Sequence, residues 1–211
     1  MKKCIIIGAG EFREREIKKE KDDLLIICDA GYNNFLKLDN PNLDDIDVLI
    51  GDFDSLDRKS AKLSAKTQII TLYPIKNDTD VLDACIYGLG KGYTEYHIYG
   101  CLGGRIEHSI ANIQILSYLK ENKANGLLID ENKIIRILKN ESICLSANYK
   151  GYISIFSMVE ESKGVTLKNL KYELTNSTIK ESYPIGIDNE FVDKGAFIEV
   201  KNGKLLVIYS K

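Results

Sequence analysis

Short apolar runs alternate with segments of helical periodicity over the first 130 residues. The pattern predicts strands at 3–7, 24–28, 48–50, 68–71, 95–99 and 127–129, and helices near 11–20, 32–38, 57–65, 79–90 and 105–122. Several of these strands are apolar almost throughout, which is typical of strands buried on both faces of a sheet. The alternation therefore predicts an α/β fold, with a Rossmann-like parallel sheet covered by helices on both faces.

Two of the predicted helices carry an apolar stripe at spacings of three and four residues, which is expected to face the core. The stripes consist of Leu82, Cys85, Ile86 and Leu89 in the first helix, and of Ile106, Ile110 and Ile113 in the second.

After about residue 132 the pattern changes to short β-rich runs near 134–138, 143–145, 152–157, 164–169 and 172–174. Asn202-Gly203 separates the apolar runs 197–200 and 205–209, and this dipeptide favours a hairpin with a type I′ turn. The chain is thus predicted to contain two domains, an α/β domain over 1–132 and a smaller all-β sandwich over 133–211.

Composition excludes several classes of protein. The 29 Lys and Arg residues against 31 Asp and Glu residues leave a net charge of −2, without the basic excess that nucleic-acid or anionic-membrane binders carry. No apolar run approaches the roughly 20 residues of a membrane span. The basic and then apolar start is too short for a signal peptide and is followed by Glu11-Phe12-Arg13-Glu14, so we expect a cytoplasmic chain. Five scattered cysteines without a CxxC pair are expected to be buried thiols.

Polar and glycine-rich segments follow most of the predicted strands, at the edge where ligands bind in an open parallel sheet. These segments are Gly8-Ala9-Gly10, Asp29-Ala30-Gly31, Gly51-Asp52-Phe53-Asp54-Ser55, the run from Pro74 to Asp80, and Gly100-Cys101-Leu102-Gly103-Gly104-Arg105.

Asp52 and Asp54 are two residues apart, so an extended segment directs both carboxylates to one side. Two close carboxylates repel unless a cation neutralises them, and Mg²⁺ with phosphate oxygens is the natural partner. The alternative is a solvated turn in which Asp54 or Ser55 caps the next helix. Asp80 could complete a three-carboxylate cluster, although Asp78-Thr79-Asp80 could equally be a capped and charged first helical turn.

Gly103-Gly104 precedes a predicted helix, where unpaired backbone N–H groups could bind phosphate. Arg105, His108 and Asn112 lie on one stripe of that helix, and Arg105 offers a planar fork to phosphate. Neither GxxxxGK[ST] nor GxGxxG is present, which disfavours a P-loop kinase and a standard NAD enzyme.

Taken in order, these segments resemble the thiamine pyrophosphokinase family. The resemblance continues downstream and spans nearly the whole chain, through the segments Ile153-Ser154-Ile155-Phe156, Gly164-Val165-Thr166, Leu170-Lys171-Tyr172-Glu173-Leu174 and Asp188-Asn189-Glu190. It implies Mg²⁺-dependent transfer of pyrophosphate from ATP to thiamine, which yields thiamine diphosphate and AMP. It also implies a homodimer with thiamine held near the subunit interface.

Residue roles follow from the same resemblance. Asp52, Asp54 and Asp80 would hold Mg²⁺ and act with Arg105 in catalysis. The residues expected at ATP are Asp29, Gly31, Ser55, Lys76, Thr79, Gly103, Gly104, Arg105 and His108. Those expected at thiamine are Asp188, Asn189, Tyr172 and Glu107.

The sequence departs from the family pattern at Glu107, Asn77 and Asp188, where Asp, Asp and Ser are usual. Because of Asp188, a related pyrophosphokinase activity on a pterin alcohol is an alternative function. The Asp-x-Asp motif also suits a metal-dependent glycosyltransferase, and a non-catalytic nucleotide- or thiamine-binding module is a further alternative.

Overall fold

The computed structural model of the chain describes residues 2–54, 62–73 and 79–211. It confirms the mixed α/β class, with extensive β-sheet and few helices among the described residues. The chain divides into two compact units, Met1–Glu131 and Asn132–Lys211. In the part of the chain that is described, no helix is both long and apolar enough to cross a membrane.

Among the described residues of the first unit, six parallel strands form a sheet in the order β6-β5-β1-β2-β3-β4. Strands β1 and β3 are buried along their whole length, which is typical of strands in the interior of a parallel sheet that is covered on both faces. The bounds of all six strands agree with the sequence prediction to within two residues: β1 Cys4–Ile7, β2 Leu24–Cys28, β3 Val48–Gly51, β4 Gln68–Thr71, β5 Glu95–Tyr99 and β6 Asn125–Ile129.

Three α-helices lie in this unit among the described residues: α1 Gly31–Phe35, α2 Asp80–Gly90 and α3 Ile106–Glu121. The helix predicted near 11–20 is wrong, since its residues have no helical structure. Its apolar side chains, Phe12 and Ile17, pack on the core as part of an irregular segment. Of the helix predicted near 57–65, residues 57–61 lie outside the described residues and 62–65 are not helical.

The predicted core faces of the two long helices need correction. In α3, Ile106 and Ile110 are exposed, and the buried side chains are Asn112, Ile115, Leu116 and Leu119. In α2, Cys85 is buried as predicted, but Ile86 is exposed. Each helix carries more than one apolar stripe, and the sequence does not say which stripe meets the sheet.

The second unit contains two sets of antiparallel strands, in the orders β12-β9-β14-β7 and β11-β10-β13-β8. Strand β9 alternates exposed and buried residues, as a strand with one covered face does. The bounds are β7 Lys133–Lys139, β8 Ser142–Leu145, β9 Tyr152–Ser157, β10 Glu161–Lys168, β11 Leu174–Lys180, β12 Asn189–Glu190, β13 Ala196–Glu199 and β14 Lys204–Ser210.

The predicted hairpin around Asn202-Gly203 is wrong. Strand β13 pairs with β8 and β10, whereas β14 pairs with β7 and β9, so the dipeptide connects two different sheets. The Asn202 N–H donates to the Lys163 carbonyl at 3.1 Å, and the Gly203 N–H donates to Asn140 Oδ1 at 2.8 Å. These contacts with distant segments replace the local turn.

Candidate active site

The loops that follow β1 and β5 lie side by side, because these strands are neighbours although they are far apart in sequence. The Gly8 N–H donates to the Tyr99 carbonyl at 2.9 Å, and the Gly10 N–H donates to the Gly100 carbonyl at 2.7 Å. Strand β1 lies between β2 and β5, so the strand order changes direction at β1. Open α/β sheets bind ligands at such a switch point.

A cavity of about 480 Å³ opens at this edge of the sheet. Its walls come from the ends of β1, β2 and β5 and from the N-terminal turns of α2 and α3. The lining residues are Gly8, Ala9, Gly10, Cys28, Asp29, Thr79, Asp80, Val81, Gly100, Cys101, Leu102, Gly103, Gly104, Arg105, His108 and Asn112. Burial raises the pKa of Cys101 to about 12, so its thiol is protonated at neutral pH and does not act as a nucleophile.

Three carboxylates meet at the ends of β2 and β3. Asp29, Asp52 and Asp54 each place one oxygen within 4.8 Å of the others, and they are the group with metal-ligand spacing among the residues that the structure describes. The sequence predicts Asp29 at ATP and does not indicate that it belongs to this cluster. Its position directly after β2, the neighbour of β3, becomes informative only when the strand order is known.

Gly51 allows these strand ends to approach. A Cβ at position 51 would lie 2.9 Å from Asp29 Cβ and 3.2 Å from Asp29 Cα, closer than a side chain tolerates. Asp29 itself has φ of 43°, and the Asp54 N–H donates to Asp52 Oδ1 at 3.3 Å. The local backbone thus directs three acidic side chains toward one point.

The cluster is electrostatically suited to a cation. Asp29 is 7% exposed, and its Oδ1 is a buried oxygen without a hydrogen-bond partner among the described residues. Burial raises the pKa of Asp29, and the charges of Asp80, Asp54 and Asp52 raise it further. A divalent cation would satisfy the unpartnered oxygen and remove the repulsion. The donor set fits a hard ion such as Mg²⁺.

Asp80 and Thr79 line the same cavity at the start of α2. Thr79 is the N-cap residue, and its Oγ1 accepts a hydrogen bond from the Leu82 N–H at 3.2 Å. This leaves Asp80 as the first residue of the helix, close enough for its charge to act on Asp29. Its carboxylate is not in the 4.8 Å group, so its role as a metal ligand stays a prediction.

The glycine turn, Gly103-Gly104, leads into α3 with φ of 76° and 61°. Arg105 is the N-cap residue of α3, and its Nε donates to Glu107 Oε1 at 2.6 Å. The Glu107 N–H and then the Arg105 side chain hold the pKa of Glu107 below its usual value. Arg105 and His108 are exposed at the cavity, whereas the Asn112 amide donates to the Cys101 carbonyl at 2.7 Å and has a structural role.

The residues predicted to contact thiamine in the second unit are held together at one edge strand. Asn189 Oδ1 accepts from the Tyr172 N–H at 2.9 Å, and Asn189 Nδ2 donates to the Tyr172 carbonyl at 2.7 Å. Asn189 is buried, whereas Asp188 and Tyr172 are exposed. The Asp188 N–H donates to Ser154 Oγ at 3.2 Å. Asn189 therefore fixes the backbone that presents the Tyr172 ring.

The remaining predicted residues have mixed outcomes. Gly31 begins α1, and a Cβ there would lie 2.3 Å from the Ile7 carbonyl oxygen, so this glycine allows close packing against β1. Ser55 and Lys76, both predicted at ATP, lie outside the described residues.

Two family models match the chain. The model described as thiamin pyrophosphokinase, catalytic domain, matches residues 16–128, and the model described as thiamin pyrophosphokinase, vitamin B1 binding domain, matches residues 133–205. The first match alone covers more than half of the chain.

Individual proteins give the same result. A thiamine pyrophosphokinase of Bacillus subtilis (strain 168) is 28% identical over 163 residues, which are 76% of each protein. The fold is similar to a crystal structure of thiamine pyrophosphokinase from Bacillus subtilis, with a TM-score of 0.85, 24% identity, and coverage of 100% of this chain and 99% of that one. A thiamin pyrophosphokinase family protein from Enterococcus faecalis matches with a TM-score of 0.82, 25% identity and 99% coverage of each chain. The chain therefore belongs to the thiamin pyrophosphokinase family.

Proposed function

We propose that this protein is a Mg²⁺-dependent thiamine pyrophosphokinase, which transfers pyrophosphate from ATP to the hydroxyethyl oxygen of thiamine and releases AMP. The observation that carries the proposal is the carboxylate cluster of Asp29, Asp52 and Asp54 beside a cavity with a glycine turn in its wall. The family supports thiamine and ATP as substrates, and the comparisons give no support to a pterin pyrophosphokinase or a glycosyltransferase.

In the proposed arrangement Asp29, Asp52 and Asp54 hold Mg²⁺, with Asp80 as a further ligand from α2. When bound, Mg²⁺ neutralises charge on the phosphate oxygens and so favours their transfer. The buried and unpartnered oxygen of Asp29 supports this donor set. We therefore propose Asp29 as a metal ligand, in place of the direct ATP contact that the sequence predicts.

The protein's own groups position and neutralise the triphosphate. Gly103 and Gly104 directly precede the N-cap residue of α3, and their N–H groups would bind the phosphates at this helix N-terminus, where anions bind favourably. Arg105, His108, Thr79 and Lys76 add donors around the phosphates, and Arg105 stabilises charge on the transferring group. One of the aspartates accepts the thiamine hydroxyl proton, and the AMP phosphate takes the electrons of the broken P–O bond.

Thiamine is proposed to bind at Asp188, Asn189, Tyr172 and Glu107. Tyr172 is 60% exposed and offers an aromatic face, and the exposed Asp188 offers a negative charge to the thiazolium cation. Asn189 acts by positioning, since its amide is bonded to the Tyr172 backbone. We propose a homodimer in the cytoplasm, with the thiamine site near the subunit interface.

We also propose the finer architecture that the sequence predicts. The first unit would be Rossmann-like, with helices on both faces of the sheet, and the strands of the second unit would pack as a β-sandwich. Contacts of α1 with β1 and β2, of α2 with β1 to β3, and of α3 with β6 support the first statement. The two antiparallel sets of strands support the second.

Incubation with Mg²⁺, ATP and thiamine tests the function, with product analysis by phosphorus NMR. We expect AMP and thiamine diphosphate in equal amounts, and no AMP when a pterin alcohol or a sugar acceptor replaces thiamine. Release of ADP instead of AMP would contradict pyrophosphate transfer. Asp54→Asn and Asp80→Asn should each lower kcat at least about 100-fold while the circular dichroism spectrum is unchanged. A normal kcat in Asp80→Asn would remove Asp80 from the metal site.

A further inference from the structure

The side chain of Glu11 lies on the glycine turn. Glu11 follows the loop after β1, and its N–H donates to the Leu102 carbonyl at 3.0 Å, so this loop runs antiparallel to the chain after β5. Two residues beyond Leu102, the Gly104 N–H donates to Glu11 Oε1 at 3.2 Å.

The contact is specific to this turn. A Cβ at position 103 would lie 2.4 Å from Glu11 Cδ and 2.7 Å from Glu11 Oε1, so the carboxyl group fills the space that a side chain would need. With φ of 76° as well, position 103 accepts only glycine without strain.

The contact is also weak enough to exchange. Glu11 and Gly104 are both exposed, and 3.2 Å is at the long end of the 2.7–3.2 Å range of N–H···O hydrogen bonds. Exposed contacts of this kind contribute little to stability. A phosphate group carries more charge and more acceptor oxygens than one carboxylate, so it can displace Glu11.

Internal acids thus occupy two donors beside the cavity. Glu11 accepts from the Gly104 N–H, and Glu107 accepts from Arg105 Nε at 2.6 Å. The proposed function assigns both donors to the triphosphate, so each acid takes the place of a phosphate oxygen.

We propose that Glu11 is a specificity-determining residue that competes with the triphosphate for the Gly104 N–H. This inference rests on the proposed function. Its carboxylate has to leave the turn before a phosphate can bind there, and its charge repels polyphosphate that is not neutralised by Mg²⁺. Glu11 therefore weakens nucleotide binding, most strongly for the metal-free form, and leaves the transfer step unchanged.

The test compares Glu11→Gln and Glu11→Ala with the matched control Glu16→Gln, which removes the same charge from an exposed position in the segment that follows. Isothermal titration calorimetry without thiamine measures Kd for a non-hydrolysable ATP analogue with Mg²⁺ and for inorganic triphosphate without metal. We expect both Glu11 variants to bind the analogue about two- to fivefold more tightly, the size expected for one exposed charge at a helix N-terminus. The gain for metal-free triphosphate should be larger, and Glu16→Gln should match the wild type.

Steady-state kinetics gives the second measurement. The KM for ATP should fall by the same factor in both Glu11 variants, with kcat unchanged. Weaker binding or a higher KM would mean that Glu11 anchors the turn, and unchanged binding would mean that it does not compete; either result overturns the inference. If the wild type forms no AMP from ATP and thiamine, the proposed function fails, and the calorimetric comparison still decides the role of Glu11.

Discussion

Replacing Asp29 with asparagine should stabilise the metal-free protein and abolish its response to Mg²⁺. Asp29 is 7% exposed, one of its oxygens lacks a partner among the described residues, and three other carboxylates act on its charge. Asparagine has nearly the same shape, tolerates the left-handed φ of 43°, and retains an oxygen for the hydrogen bond from Ala30.

The size of the effect follows from the lost charge. A buried polar atom without a partner costs about 1–3 kcal/mol, and asparagine keeps part of this cost because its amide is also buried. A gain of about 1 kcal/mol in the free energy of unfolding raises Tm by about 2–4 °C for a chain of this size. Mg²⁺ at ten times its Kd should stabilise the wild type by about 1.4 kcal/mol, whereas it should not stabilise the Asp29→Asn variant.

Differential scanning fluorimetry with EDTA and with Mg²⁺ measures both effects. Asp22→Asn removes the same charge from an exposed position in the same unit, and its Tm should follow the wild type in both buffers. A lower Tm for metal-free Asp29→Asn, or a Mg²⁺-induced shift as large as that of the wild type, would refute the assignment of Asp29 to a metal site.

Three further substitutions test the stability of the fold and the structural basis of the sites. Gly51→Ala should lower the free energy of unfolding by about 1–3 kcal/mol and also lower kcat, because the new methyl group meets the Asp29 backbone at 3.2 Å. His97→Gln should reduce the decrease in the free energy of unfolding as the pH falls below about 6.5. Burial holds the pKa of His97 below its usual value, so the folded state favours the neutral ring and loses stability when the ring is protonated. Asn189→Ala should cost about 2–3 kcal/mol in urea unfolding and raise the KM for thiamine, because two hydrogen bonds to Tyr172 are lost.

The glycine and asparagine substitutions each have a matched control. Gly90→Ala adds a methyl group with nothing within 4 Å at the end of α2 and should not destabilise the protein; equal costs at both glycines would contradict the close approach at Gly51. Asn148→Ala changes an exposed asparagine of the second unit, and a similar cost there would remove the special role of Asn189.

Local sequence patterns were sufficient to predict the strands of the first unit and the two long helices. A strand such as β3 is apolar along its whole length, and a residue such as Thr79 caps a helix through contacts within its own turn. The same reasoning failed for the helix predicted near 11–20. Phe12 and Ile17 pack against the core from an irregular segment, so their burial does not require a helix. It failed again at Asn202-Gly203, whose backbone N–H groups bond to Lys163 and Asn140.

Four properties follow from the amino-acid sequence alone: the α/β class, the change to β-rich structure near residue 132, the family resemblance, and the acidic and glycine-rich segments at the strand ends. These properties depend on side-chain periodicity and on motifs of a few residues. Three other features are visible only in the folded chain: Asp29 lies beside Asp52 and Asp54, Glu11 lies on the Gly103-Gly104 turn, and α3 buries the face that carries Leu116. These contacts join residues far apart in the chain, so they depend on the order of the strands and the rotation of the helices, which packing of the whole core sets.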